Sequence, residues 1–318
     1  MYDRFKDWPE TNDSKWFEIR KGFELPQQYR EEFIAEYLPM WEFWQREFRA
    51  FDAQPHLIWG EGHTPDYCED FRQPEPAVGV RIHEGEPRPM VLVCPGGGFM
   101  WKACYEGTIV AERFYDEGFN TAVLDYRVNP YPRQASFDDA VRAMRYLRCH
   151  AAELNTCPDQ IAMMGFSAGS FLTGWCATMF DEGNPDAEDP VERCSSRPDA
   201  AVLCYGAGSN IGSSRGLLAY DRQQQAAAAK TAIECRVREE CPPFFMWQCA
   251  GQDDPRNAMQ LAHALATVGV PFELHIFPYG KHGMALANAE HPDPKADDPH
   301  VAHWVSMCCE WLNRELKG

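Results

Sequence analysis

From residue 90 onwards the chain alternates short apolar runs with amphipathic segments, and this alternation constrains its fold more than any other feature. "PMVLVCPGGGF" reads as a strand ending in a glycine-rich loop, and "EGTIVAERFYDEG" as a helix closed by Gly118. The strand "NTAVLDYRV" follows, then the helix "SFDDAVRAMRYLRCHAAEL" with Ser136 or a neighbour as its cap. The strands "AAVLCYG", "PFFMWQCAG" and "PFELHIFP" come later, with the helix "RNAMQLAHALATVG" before the last of them and a final helix from about His300 to Leu316. Such alternation predicts an α/β fold, a mostly parallel sheet covered by helices on both faces. A chain of 318 residues is long enough to be one large domain of this kind.

One junction in this series carries chemistry. In "IAMMGFSAGSF" the apolar run at 161–164 ends in Gly-Phe-Ser-Ala-Gly, and Phe171, Leu172, Trp175 and Met179 then follow at helical spacing. A G-x-S-x-G between strand and helix turns the backbone so sharply that Gly165 and Gly169 must lack side chains. It lifts the serine above the sheet beside the helix N-terminus. The pentapeptide alone is weak, because glycine and serine also make plain turns.

A serine hydroxyl becomes a useful nucleophile only when a base takes its proton, and that base needs a group to fix its tautomer. In this arrangement the acid and the histidine follow the serine in chain order, each after a later strand. "FFMWQCAGQDD" supplies Asp253 and Asp254, and "FELHIFPYGKHG" supplies His282. Taken singly, the aspartates read as turn or cap residues and His282 as a solvated loop histidine. The order and strand-end placement of all three together favour catalysis. Of the two aspartates, Asp253 is expected to be the acid because it lies closer to the strand, with Asp254 capping the next helix.

The loop "VLVCPGGGF" fits the same chemistry. Acyl transfer builds negative charge on a carbonyl oxygen, and fixed backbone N–H donors are each worth about 3 kcal/mol there. Gly97 and Gly98, with Ala168 after the nucleophile, are the expected donors. The loop lacks both the phosphate-binding G-x-x-x-x-G-K-[ST] and the dinucleotide G-x-G-x-x-G. No cofactor or metal is expected.

The stretch "VLVCPGGGFMWKACYEGTIVAERFYDEGFNTAVLDYRV", with "DDAVRAMRYLR" and "IAMMGFSAGSF", resembles the α/β-hydrolase fold. More narrowly it is similar to the acetyl-xylan-esterase and feruloyl-esterase-like carbohydrate esterases, relatives of hormone-sensitive-lipase-type carboxylesterases. The resemblance covers residues 55 to 316. It implies Ser167 as nucleophile, Asp253 as acid, His282 as base, and Gly97 and Gly98 as oxyanion donors. The implied activity is hydrolysis of short acyl esters, acetyl above all, on sugars or oligosaccharides. Trp101 and Tyr105 beside the glycine loop are candidates to stack on a sugar ring, although such aromatics are more often core or rim. The chain departs from lipase-type loops in having Pro95 before the glycines, and from many relatives in having Ser170 after the elbow. A peptidase or thioesterase on the same fold, or a non-catalytic homologue, are the competing readings.

Composition narrows the partners. A net charge of −18 disfavours nucleic acid and anionic membrane surfaces. No apolar stretch is long enough to span a bilayer, "MYDRFKDWPE" carries no apolar signal core, and thirteen cysteines without C-x-x-C spacing suit a reducing compartment, so a cytoplasmic location is expected. Two regions stand apart from the series. Residues 207–242 read as an insertion above the sheet, either a lid or a solvated helix. Residues 1–55 read as an extension of two short helices broken at Pro39, ahead of a catalytic domain at 56–318. Within it Phe33, Tyr37, Trp41, Trp44 and Phe48 form one aromatic stripe that must be covered. Cover at the active-site mouth or in a homodimer is expected in preference to packing on the catalytic fold.

Overall fold

Successive residues of the central strands point into two different cores. Met90, Leu92 and Cys94 face one hydrophobic cluster, and Val91 and Val93 face the other. Ile161 and Met163 are likewise separated from Ala162 and Met164. This is the two-residue period of a strand buried on both sides, which is why these segments are apolar throughout. The computed structural model describes residues 5–20, 24–206 and 232–317.

In chain order the elements are α1 (Asp13–Ile19), α2 (Arg30–Phe51), β1 (His56–Leu57), β2 (Ala77–Arg81), β3 (Arg88–Cys94) and α3 (Thr108–Asp116). They continue with β4 (Asn120–Asp125), α4 (Arg133–Cys149), β5 (Thr156–Phe166), α5 (Ala168–Met179), β6 (Ala200–Cys204) and β7 (Phe244–Cys249). The last are α6 (Arg256–Val268), β8 (Phe272–Phe277) and α7 (Trp304–Lys317). The eight strands form one sheet in the order β1-β2-β4-β3-β5-β6-β7-β8. Pairing from β4 to β8 is parallel, while β1–β2 and β2–β4 are antiparallel. Apolar residues of α4, α5 and α6 fill the cluster on one face, and those of α3 and α7 fill the other. The carboxyl ends of β3, β5, β7 and β8 therefore open at one edge, where open α/β sheets place their ligands.

Two expectations need correction. The helix expected to start at Ser136 starts three residues earlier, at Arg133, with the extended Pro132 (φ −62°, ψ 149°) at its N-cap in place of a capping serine. Ser136 lies buried in its first turn and donates from Oγ to the Arg127 carbonyl at 2.6 Å. In the N-terminal region, Pro39 does not break the chain into two helices, and α2 runs unbroken for 22 residues. Proline removes the hydrogen bond to the carbonyl four residues back. Both Pro39 and Ala35 are exposed, so water can replace that bond.

The aromatic stripe on α2 is covered by the chain itself. Phe33, Tyr37 and Trp41 join one core cluster, Trp44 and Phe48 the other, and none of the five exceeds 3% exposure. Polar handles fix the packing. The Trp41 indole donates to the Met100 carbonyl at 2.8 Å, and the Trp44 indole to Asp125 Oδ1 at 2.8 Å. Asp125 also accepts from Gln45 and, at 2.5 Å, from the buried Lys102. The face thus offers nothing to a second subunit, contrary to the expectation, because β4 and the glycine loop supply the cover. The lid-like reading of 207–242 falls mainly on residues 207–231, outside the described residues; from Ala232 the chain makes a short turn of 3-10 helix at Ile233–Cys235.

Candidate active site

The elbow forms where β5 meets α5. Ser167 has φ +51° and ψ −114°, a strained conformation for a side-chain-bearing residue, held by its N–H donating to the Cys204 carbonyl at 3.0 Å. A Cβ on Gly165 would overlap the Gly169 carbonyl, and one on Gly169 would overlap that of Cys94. Glycine is required at both places because α5 must start directly against the strand ends.

Ser167 Oγ lies 2.7 Å from His282 Nε2. On the far side of the ring, Nδ1 lies 2.9 and 3.0 Å from the two carboxylate oxygens of Asp253. Asp253 stands four residues beyond β7, its N–H donating to the Cys249 carbonyl. The side chain of His282 is 44% exposed at the opening, and that of Asp253 only 16%. Asp254 points elsewhere: it pairs with Arg256 and accepts from the Arg256 backbone N–H at 3.0 Å, and the Pro255 that follows, rather than Asp254, is the N-cap of α6. Of the two aspartates, Asp253 is the one in contact with His282.

Burial on its own would lower the His282 pKa. The hydrogen bond and charge of Asp253, with the charge of Glu106 behind them, outweigh it and hold the imidazole above its ordinary 6.5. Glu106 is the site residue that motif reasoning missed. It lies 3% exposed beneath the site, where Oε2 accepts from the Gly96 N–H at 2.9 Å and Oε1 from the Tyr205 hydroxyl at 2.8 Å. Tyr205 in turn accepts from the Ala285 N–H, and its ring meets that of His282 edge-on at 5.2 Å. Burial pushes the Glu106 carboxyl up, against the pull of Tyr205, His282 and Gly96. Gln252 was missed too: its Oε1 accepts from the His282 backbone N–H at 3.0 Å. The signal for Glu106 was the Glu-Gly pair downstream of the glycine loop, in a run whose other charge is Lys102.

The glycine loop passes directly over the serine. A Cβ on Gly96 would fall 2.8 Å from Ser167 Cβ. Gly97 takes φ +123° and Gly98 φ +62°, and any side chain on Gly97 would overlap the Trp101 carbonyl. Ala168 is the first residue of α5, so its N–H is one of the helix's unsatisfied first donors. Gly96 thus abuts Ser167, with Gly97 and Gly98 next in the loop and Ala168 next after the serine. Trp101 and Tyr105 are half-buried and line an adjoining cavity of about 750 Å³ whose walls do not include Ser167. Among the described residues no cluster of metal-ligating side chains occurs, and no helix is long and apolar enough to cross a membrane.

Residues 80–267 match the family model BD-FAE. Over 233 residues, 68% of the chain, it is 33% identical to endo-1,4-beta-xylanase B of Butyrivibrio fibrisolvens, and over 116 residues, 36% of the chain, 28% identical to the acetylxylan esterase of Xylanibacter ruminicola. The chain spans only 35% and 22% of those two relatives. Among solved structures it is similar to the acetyl ester-xyloside bifunctional hydrolase of Caldicellulosiruptor lactoaceticus, with 32% identity and a TM-score of 0.72 over 82% of this chain and 96% of that one. With a strand-to-helix serine under a PGGG loop and a family model matched over more than half its length, the chain belongs to the BD-FAE family, on an α/β-hydrolase fold.

Proposed function

We propose that the protein is a serine ester hydrolase that removes short acyl groups, acetyl above all, from sugars or oligosaccharides of the xylo-oligosaccharide type. The observation that carries this reading is the unbroken chain of hydrogen bonds from Ser167 through His282 to Asp253 beneath the glycine loop. Ser167 Oγ attacks the ester carbonyl as His282 Nε2 takes its proton, and the imidazolium is stabilised by Asp253 at Nδ1. The oxyanion meets the N–H groups of Gly97, Gly98 and Ala168, each donor worth about 3 kcal/mol. Collapse expels the sugar hydroxylate, which leaves with the proton from His282. Water, deprotonated by the same nitrogen, then attacks the acyl-serine, releases the acid and restores the hydroxyl.

The sugar preference rests on two relatives, an acetylxylan esterase and an acetyl ester-xyloside bifunctional hydrolase. A panel of p-nitrophenyl esters of increasing chain length, run beside acetylated xylo-oligosaccharides with released acetate measured, tests it. Fastest turnover of acetyl esters on both backbones is expected. Turnover of peptides or thioesters with no turnover of these esters would overturn the proposal.

A further inference from the structure

We infer that the cavity between the glycine loop, the His282 loop and the N-terminal segment is the subsite for the sugar that carries the acyl group, and that residues 5–13 complete it. This inference rests on the esterase reading above and extends it to a part of the chain that lies before the family match.

Position is the first argument. Trp101 lines the cavity, and its ring lies 3.1 Å from where a Cβ on Gly97 would stand. On the opposite wall Lys281 immediately precedes His282, and His291 Nε2 bonds the Gly283 carbonyl at 2.8 Å. The cavity is thus one residue away from the oxyanion loop on one side and one residue from the base on the other. A group attached to the leaving oxygen would enter the cavity between those two loops.

Size and chemistry are the second. About 750 Å³ falls within the roughly 300–1,000 Å³ typical of small-molecule sites. Trp8 stands edge to face with Trp101 at 5.5 Å and tilted against Tyr105 at 5.6 Å, making an aromatic wall. Glu10, Asp13 and Asp293 add carboxylates to the same lining. A pyranose has an apolar C–H face for the rings and a rim of hydroxyl donors for the carboxylates. Lys281 neutralises Asp293, which leaves Glu10 and Asp13 to disfavour anionic ligands, and a long acyl chain would desolvate the carboxylates without hydrogen bonds in return.

The walls are also held in place. Asp13 accepts from Thr11 Oγ1 at 2.8 Å, from the Tyr37 hydroxyl at 2.6 Å and from the Trp101 indole at 3.2 Å, so α1 is tied to α2 and to the glycine loop at one carboxylate. Burial, helped by the charge of Lys281, pushes the His291 pKa down to about 4. Its ring therefore stays neutral, with Nδ1 accepting from the Asp293 N–H at 3.0 Å and Nε2–H donating to Gly283.

The test is Trp8→Ala in the full chain, with Trp8→Phe as the variant that keeps a packed ring. For each, kcat/KM is measured on acetylated xylobiose and on p-nitrophenyl acetate. Loss of one aromatic face should lower the ratio of the first to the second by about tenfold, through KM on the sugar ester, with Trp8→Phe recovering most of it. An unchanged ratio in Trp8→Ala would overturn the subsite. Independently of turnover, unacetylated xylobiose should quench tryptophan fluorescence of Ser167→Ala saturably, and Trp8 should be needed for it. If neither ester is hydrolysed but this binding persists, the esterase reading fails and the subsite stands. If the esters are hydrolysed and xylobiose leaves the fluorescence untouched, the subsite fails and the esterase reading stands.

Discussion

Asp253→Asn is the change whose outcome the geometry specifies most narrowly. Both carboxylate oxygens lie within 3.0 Å of His282 Nδ1, so in the wild type that nitrogen carries the proton and Nε2 is free to accept from Ser167 Oγ at 2.7 Å. Asparagine is isosteric, but its amide can donate to Nδ1. The ring then carries its proton on Nε2, where it faces the serine as a donor and cannot act as base. The same replacement in a serine protease triad lowers kcat by about 10⁴-fold, roughly 5.5 kcal/mol of barrier, and a loss of that order is expected here. Asp254→Asn should behave differently, because Asp254 meets Arg256 and the start of α6, not the histidine. Asparagine keeps an oxygen for the Arg256 N–H, so only the exposed ion pair is lost, costing at most about 1 kcal/mol of stability, with kcat near wild type. Initial rates on p-nitrophenyl acetate and urea melts of the two variants separate these effects. An Asp253→Asn enzyme within tenfold of wild type, or a dead Asp254→Asn enzyme that still folds, would refute the reasoning.

Three further outcomes follow from residues outside the triad. His282 sits above 6.5 partly because of the Glu106 charge, and only its neutral form is a base, so activity should fall as pH drops through that raised value. Glu106→Gln removes the charge and should move the acidic limb of the kcat/KM profile to lower pH, while costing about 1.5–3 kcal/mol in stability through weakened bonds to Gly96 and Tyr205; an unmoved limb would count against the coupling. Trp44→Phe deprives the buried Asp125 of one donor and should cost about 1–3 kcal/mol in denaturant melts with little effect on kcat. Deleting residues 1–50 strips the cover from both cores, and the product should be insoluble; a soluble truncation melting like the full chain would contradict the packing described for α2.

What the sequence disclosed and what it withheld follow from the reach of local signals. Strand periodicity and the two elbow glycines are local, so the series from β3 to α7 and the place of Ser167 could be read directly. The order Ser167, Asp253, His282 also carried information, because each residue follows a strand of the same parallel sheet. Which aspartate turns towards the histidine depends on a four-residue loop, and position in the string favoured Asp253 only by nearness. Glu106 was hidden because its partners Gly96, Tyr205 and His282 are far apart in sequence and meet only on folding. The aromatic stripe of α2 was visible, but its cover was not. A periodic apolar face states that something must pack on it, while Met100 and Asp125, 59 and 81 residues away, identify what does.

Those separations also set a schedule for synthesis. At roughly 5–20 residues per second, the 81 residues between Trp44 and Asp125 take about 4–16 s to translate. During that interval α2 can already be helical while Trp41, Trp44 and Phe48 lack their cover, since β3, the glycine loop and β4 have not yet emerged and α1 offers Trp16 only to Phe33 and Tyr37. The nascent chain therefore carries a largely bare aromatic stripe on one helix for seconds, an affinity handle for holdase chaperones and for other nascent copies alike. Yield in a producing cell should depend on how quickly residues 88–125 leave the ribosome as much as on the final stability of the fold.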